Sequence, residues 1–211
     1  MVERFPREVR GSSLDRAVAC IKEGGIVAFP TETYYGLAVD PECLSAVEAL
    51  FKVKKRHPDK ALLVLIEKRE QLLSLAERIP AEFQRLMDKY WPGPLTLVFP
   101  AQKRLHGLLT GNSGNIGVRI SSHPVASDLV RKMGKPITAT SANISGHLPA
   151  STAEEVEKIF DGSLSYILDG GRTSAGLCST VLGFNEGQCT LLRQGEIDVS
   201  ADLRCLKVTP F

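Results

Sequence analysis

A chain of 211 residues, 43% of them hydrophobic, is long enough for one domain with a real core, which excludes a disordered polar chain. Twenty-six basic against 24 acidic residues leave a net charge of +2, too balanced for charge alone to mark a nucleic-acid protein. No apolar run approaches the roughly 18 residues of a bilayer span, and the charged start MVERFPREVRG lacks the apolar centre of a secretory signal, so a soluble cytoplasmic protein is expected.

Helix and strand signals alternate along the chain. Leu14, Ala17, Val18 and Ile21 recur at helical spacing until Gly24-Gly25, and Ile26 to Phe29 reads as a buried strand running into Pro30. Asp40-Pro41 predicts a helix start, with Leu44, Val47, Leu50 and Phe51 as the apolar face. Ala61 to Ile66 predicts a buried strand, followed by a charged helix and another from Pro80. Trp91-Pro92-Gly93-Pro94 stops that helix and leads into a strand, Leu95 to Phe99. Lys103 to Asn115 predicts a mobile polar loop beside a site, and Ile116 to Ile120 the next strand. A helix from His123 to Lys132 closed by Gly134 precedes a strand from Pro136 to Thr140. Ser151-Thr152-Ala153-Glu154 reads as a capping box opening a helix through Phe160, and short β candidates follow near Tyr166, Val181 and Leu191. These signals predict one α/β domain over 1–211, its core about 14–195, built from helices and a mixed sheet.

The five cysteines, Cys20, Cys43, Cys178, Cys189 and Cys205, form no CxxC pair and have no metal-ligand spacing. Cys20 and Cys43 fall in helical segments where a buried thiol is the ordinary role, and a reducing compartment fits.

Three segments concentrate polar chemistry. In Pro30-Thr31-Glu32-Thr33-Tyr34-Tyr35-Gly36-Leu37 a buried strand empties into hydroxyls that could bind a carboxylate or amine; a turn satisfying its own backbone explains them equally well. Lys52 to Lys60 carries five cations against one carboxylate. The helix macrodipole accounts for Lys54 and Lys55, but less well for Arg56 and Lys60, where a triphosphate is a natural visitor and a solvated basic loop the alternative. The strand ending in Ser141-Ala142-Asn143 puts two polar side chains on one face, suited to a base edge or phosphate, or to ordinary turn chemistry. Arg119, inside the apolar strand Gly117-Val118-Arg119-Ile120, needs a carboxylate partner from the protein or a ligand. Cys178-Ser179-Thr180-Val181 and Arg193-Gln194-Gly195 are weaker signals. The chain lacks a GxxxxGK[ST] loop, a GxGxxG turn, HExxH and GxSxG, and none of its four histidines earns a catalytic role.

Taken in order, the glycine-ended helix and strand into PTETYYGL, the KxR element at Lys54–Arg56, WPGPLTLVF, VRISSHPVA, TSANISG, STVL and LLRQG resemble the YrdC-like family of L-threonylcarbamoyladenylate synthases, from about Gly24 to Gly195. The resemblance implies a twisted mixed sheet around a deep basic cleft. It implies a reaction joining L-threonine, bicarbonate and ATP to threonylcarbamoyl-AMP and pyrophosphate, for the t6A modification of tRNA. Thr31, Arg119, Ser141 and Ser179 match family residues that hold L-threonine; Lys54, Arg56, Lys60, Asn115, Asn143, Ser151 and Arg193 match positions around ATP. Catalytic roles fall to Lys54 and Arg56, with Mg2+ accompanying ATP. Ser151 is also explained by its cap. Val181-Leu182-Gly183 lacks the acidic residue many relatives carry, and Leu65 stands where some have histidine. A short, single-domain form is expected, with tRNA contact and downstream t6A transferase proteins as partners. The rival expectations are a non-catalytic RNA-binding regulatory module of the same fold, a branch of unclear activity, and carbamoyl transfer to another acceptor.

Overall fold

The computed structural model describes residues 3–4, 11–185 and 188–205; most of the N-terminal segment read above for a signal lies outside them, as does the Cys205 side chain. In chain order the elements are β1 (Glu3–Arg4), α1 (Gly11–Lys22), β2 (Val27–Phe29), β3 (Gly36–Ala38), α2 (Leu44–Lys54), β4 (Leu63–Leu65), α3 (Glu82–Tyr90), β5 (Leu95–Pro100) and α4 (Gly107–Thr110). They continue as β6 (Asn115–Arg119), α5 (Pro124–Met133), β7 (Ile137–Thr138), β8 (Thr140–Ser141), α6 (Ala153–Phe160), β9 (Tyr166–Ile167), β10 (Thr180–Asn185), β11 (Gln188–Arg193) and α7 (Ser200–Cys205).

The strands form two mixed sheets, ordered β1-β9-β2-β3-β8 and β11-β10-β5-β6-β4-β7. The apolar run of β2 is buried throughout and that of β4 nearly so, as the sequence predicted, whereas Leu191 and Leu192 of β11 are exposed. Val27 and Phe29 of β2 pack with α1 and α5 around Leu14, Ile21, Leu129 and Met133. Ala28, between them, faces a larger cluster with Leu50, Phe51, Phe83, Leu97 and Val118. Period-two alternation thus divides one strand between two cores.

Four expectations are corrected. The predicted strand from Pro136 to Thr140 is two strands: β7 pairs with β4 of the six-stranded sheet, and β8 pairs with β3 of the five-stranded sheet. The crossing is held by Thr138, whose amide donates to Val39 O at 3.1 Å while its hydroxyl accepts from Val39 N at 2.9 Å. Asp40 does not cap α2; its carboxylate accepts from Glu42 N at 3.0 Å and meets Lys135 at 2.6 Å, so the helix begins only at Leu44. The charged segment after β4 is a 3-10 helix, Arg69–Ser74. The loop read over 103–115 contains α4, which His106 caps by accepting from Leu108 N.

The cap before α6 is shifted by one residue and is not a reciprocal box. Thr152 is the cap, accepting from Glu155 N at 3.2 Å, and Glu155 reaches back to the Ser151 amide at 2.7 Å and its hydroxyl at 2.9 Å. By contrast α5 has the expected ends, with Pro124 at its start and Gly134 at φ +72°.

Candidate active site

A cleft of about 490 Å3 lies where the two sheets meet. Alternate residues of one face of the six-stranded sheet line it: Thr96 and Val98 of β5, and Asn115, Gly117 and Arg119 of β6. Leu95, Leu97, Phe99, Ile116 and Val118 point the other way into the core. The opposite wall comes from the Thr31–Gly36 turn and from β8.

Of the residues singled out from the sequence, Thr31, Arg56, Asn115, Arg119, Ser141, Ser179 and Arg193 line this cleft together. Lys54, Lys60, Asn143 and Ser151 are not among its lining residues.

The geometry of the KxR element explains the split between Lys54 and Arg56. Helix α2 ends with Lys55 in the left-handed region at φ 49°, its amide bonded to Lys52 O at 3.1 Å and the Arg56 amide to Phe51 O at 2.9 Å. That Schellman turn sends the side chains on either side of Lys55 in different directions. Lys54 turns inward and is 1% exposed. Its ammonium donates to the Ser141 carbonyl, to the Asn143 carbonyl at 2.8 Å and to Asn143 Oδ1 at 3.1 Å, which engages all three donors. Burial first, and the Arg56 charge second, pull its pKa from 10.5 to about 7. Arg56 instead reaches the cleft, with Nε on Lys60 O at 3.0 Å and Nη2 on Ala61 O at 2.6 Å, which leaves Nη1 for a ligand. Lys60 is exposed and contributes its backbone carbonyl to this arrangement.

Asn143 is the centre of its turn. Oδ1 accepts from Ser141 Oγ at 2.7 Å as well as from Lys54, and Nδ2 donates to His147 O at 2.6 Å. Ser151 is buried against Glu155, and its hydroxyl also accepts from Arg172 Nη1 at 3.1 Å. Asn115 holds Ser113 O through Nδ2 at 3.0 Å at the rim.

At the other end of the cleft Thr31 makes the predicted hydroxyl turn: its Oγ1 accepts from Thr33 N at 3.2 Å and donates to Tyr34 O at 2.7 Å. Ser179 is buried between Thr96 Oγ1 at 2.9 Å and Arg193 Nη2 at 3.0 Å. Arg119 has the carboxylate partner its strand position required, and the protein supplies it. Glu32 Oε1 lies 3.4 Å from Nη1, with both side chains largely buried. Burial depresses the Arg119 pKa most, with the Glu32 charge opposing and the Arg193 charge reinforcing the drop.

Sequence reasoning missed Thr96 and Ser113, and it gave Glu32 and Cys178 no role of their own within the segments it singled out. Thr96 carried a usable signal, a hydroxyl in an apolar strand two residues from Val98 and therefore on the same face.

A cleft between two mixed sheets, lined by hydroxyls and three guanidiniums, defines an α/β fold whose open site has the chemistry to receive a small anionic ligand. A family model for Sua5/YciO/YrdC, described as telomere recombination, matches residues 19–195, and the chain belongs to that family. It is 41% identical over 179 residues to a threonylcarbamoyl-AMP synthase of Pyrococcus abyssi, covering 85% of this chain and 53% of the relative. A Bacillus subtilis protein of the same name is 39% identical over 183 residues, again with 53% of the relative covered. The chain therefore spans about half the length of these curated relatives. Among solved structures, P. abyssi Sua5 complexed with L-threonine superposes with a TM-score of 0.86 at 38% identity, over 94% of this chain and 57% of that one.

Proposed function

We propose that this chain is a threonylcarbamoyl-AMP synthase, joining L-threonine, bicarbonate and ATP with release of pyrophosphate. One observation carries the reading. The group matched to L-threonine (Thr31, Arg119, Ser141, Ser179) and three of the seven residues matched to ATP (Arg56, Asn115 and Arg193, of Lys54, Arg56, Lys60, Asn115, Asn143, Ser151 and Arg193) open on a single cleft. Relatives named for this activity support it over a non-catalytic RNA-binding module.

In this reading the threonine amine combines with bicarbonate, with loss of water, to form a carbamate, whose oxygen attacks the α-phosphorus of ATP as pyrophosphate leaves. The chain's contribution is positioning and charge neutralisation. Arg56 and Arg193 hold phosphate oxygens, Arg119 takes the threonine carboxylate, and the hydroxyls of Thr31, Ser141 and Ser179 orient the amino acid. Lys54 and Asn143 act one step back by fixing the Ser141 turn, and Lys60 and Ser151 by shaping the loops around it. Among the described residues no cluster of three or more His, Cys, Asp or Glu could hold a metal ion. Mg2+ would accompany ATP as part of the Mg-ATP substrate. The product would pass in the cytoplasm to t6A transferase proteins and tRNA; among the described residues no helix is long and apolar enough to cross a membrane.

Purified protein supplied with L-threonine, bicarbonate and Mg-ATP should release pyrophosphate, and omitting threonine should abolish the release. Equal release without threonine would overturn the reading.

A further inference from the structure

We infer that Glu32 is a positioning residue for the amino-acid carboxylate subsite, acting through Arg119 without touching the ligand. The inference rests on the synthase reading of the cleft.

Glu32 and Arg119 reach each other from different sheets: Glu32 from the turn between β2 and β3, Arg119 from the end of β6. The Arg119 guanidinium lines the cleft, whereas Glu32 is not among the lining residues and its side chain is 13% exposed. A carboxylate behind an arginine, with the ligand in front, is a supporting group.

Its own orientation is fixed from several directions. Ser121 Oγ donates to Glu32 Oε2, Ser174 Oγ donates to the Glu32 backbone carbonyl, and the Ser121 hydroxyl also accepts from His123 N at 3.2 Å. The other carboxylate oxygen, Oε1, is buried and has no hydrogen bond among the described residues; what faces it is Arg119 Nη1 at 3.4 Å. Arg119 Nε is likewise buried without a hydrogen-bond partner among the described residues. A guanidinium carries five donors in a fixed fork, so the Glu32 charge facing Nη1 restrains one side of it while the other donors stay available to a second carboxylate.

The charge count makes the support necessary. Arg119 is buried with Arg193 close enough to depress its pKa, and Glu32 is the strongest of the negative charges that oppose the drop, so removing it leaves a buried cation to rotate toward solvent. Orientation, more than net charge, is what Glu32 supplies. Neutralising it raises the local positive potential, yet a displaced fork loses its aim at the ligand carboxylate.

The test compares L-threonine with L-threoninol, which lacks the carboxylate, in wild type, Glu32→Gln and Glu32→Asp, by calorimetric binding and by pyrophosphate release. Glu32→Gln should weaken L-threonine at least tenfold, leave KM for ATP within twofold, and change L-threoninol binding by less than twofold. Glu32→Asp keeps the charge but shortens the reach, and should also weaken L-threonine. Ser121→Ala, which releases Oε2, should shift L-threonine in the same direction by a smaller factor and serves if Glu32 variants fail to fold. Equal weakening of both ligands would make Glu32 merely structural, and unchanged or tighter L-threonine binding in Glu32→Gln would also overturn the inference. Wild-type protein that binds no L-threonine would instead overturn the synthase reading itself.

Discussion

Lys54 and Asn143 are joined twice: the Lys54 ammonium donates to the Asn143 backbone carbonyl at 2.8 Å and to its side-chain carbonyl at 3.1 Å. With the Ser145 amide donating back to Lys54 O at 2.9 Å, the end of α2 and the Ser141–Ser145 turn form one unit. The basic element and the Ser-x-Asn element are therefore a single piece of structure, joined by a lysine that spends its donors on protein.

That buried ammonium gives stability a pH dependence. Its pKa is about 7 in the folded chain against 10.5 for a free lysine, so between these values the unfolded chain holds a proton that the folded chain has shed. Stability at this group then rises with pH, by up to about 1.4 kcal/mol per unit, and is lost as pH falls toward 7. Measured by urea unfolding, wild type should gain roughly 2 kcal/mol relative to Lys54→Met between about pH 7 and pH 9. A constant difference across that interval would show that Lys54 keeps its ordinary pKa.

Thr180 supports the far wall. Its buried hydroxyl accepts from Gly195 N and Ile197 N, both at 3.1 Å, and donates to Ile197 O at 2.7 Å. Thr180→Val keeps the shape but leaves these groups unpaired, which should destabilise the protein by about 2–4 kcal/mol. A loss under 0.5 kcal/mol in denaturant unfolding would mean that the chain after β11 simply reseats.

Much of the fold was legible because its signals are local. Pro124 and Gly134 bracket α5, and the apolar runs at Ile26 to Phe29 and Ala61 to Ile66 mark the buried strands β2 and β4. What failed required knowledge of distant partners. The segment around Ala139 changes sheet because Ala139 N still bonds Leu63 O of β4 at 2.8 Å while Thr140 and Ser141 already pair with Leu37 and Gly36 of β3, contacts that no periodicity records. The cap of α6 slipped by one residue because Ser151-Thr152 and Glu154-Glu155 offer two equivalent registers. In the site, Arg119 announced its need for a carboxylate, but Glu32 lies far away in sequence and looked like one more turn residue. The cluster of cations was visible, while the inward turn of Lys54 depended on the φ of Lys55.

Lys55 itself provides a check on that turn. A lysine at φ 49° bears a cost that glycine does not, so Lys55→Gly should stabilise the folded protein by up to about 1 kcal/mol. Thermal unfolding should show a rise in Tm with pyrophosphate release unchanged. A fall in Tm would mean that the lysine side chain makes a compensating contact.

Arg56 separates charge from geometry. Its Nε and Nη2 are committed to Lys60 O and Ala61 O, which orients the guanidinium in the cleft wall. Arg56→Ala removes both the anchor and the phosphate-facing charge, and should lower threonine-dependent pyrophosphate release by about 10²–10³-fold, the range seen when one preorganised donor is lost. The two lost hydrogen bonds, each worth about 1 kcal/mol, should cost only a few degrees in Tm. Arg56→Lys retains a charge but has no fork with which to hold two carbonyls and a phosphate together, so it should recover less than about tenfold of the loss. Full recovery with lysine would mean that Arg56 acts as a point charge, and wild-type turnover in Arg56→Ala would remove it from the site.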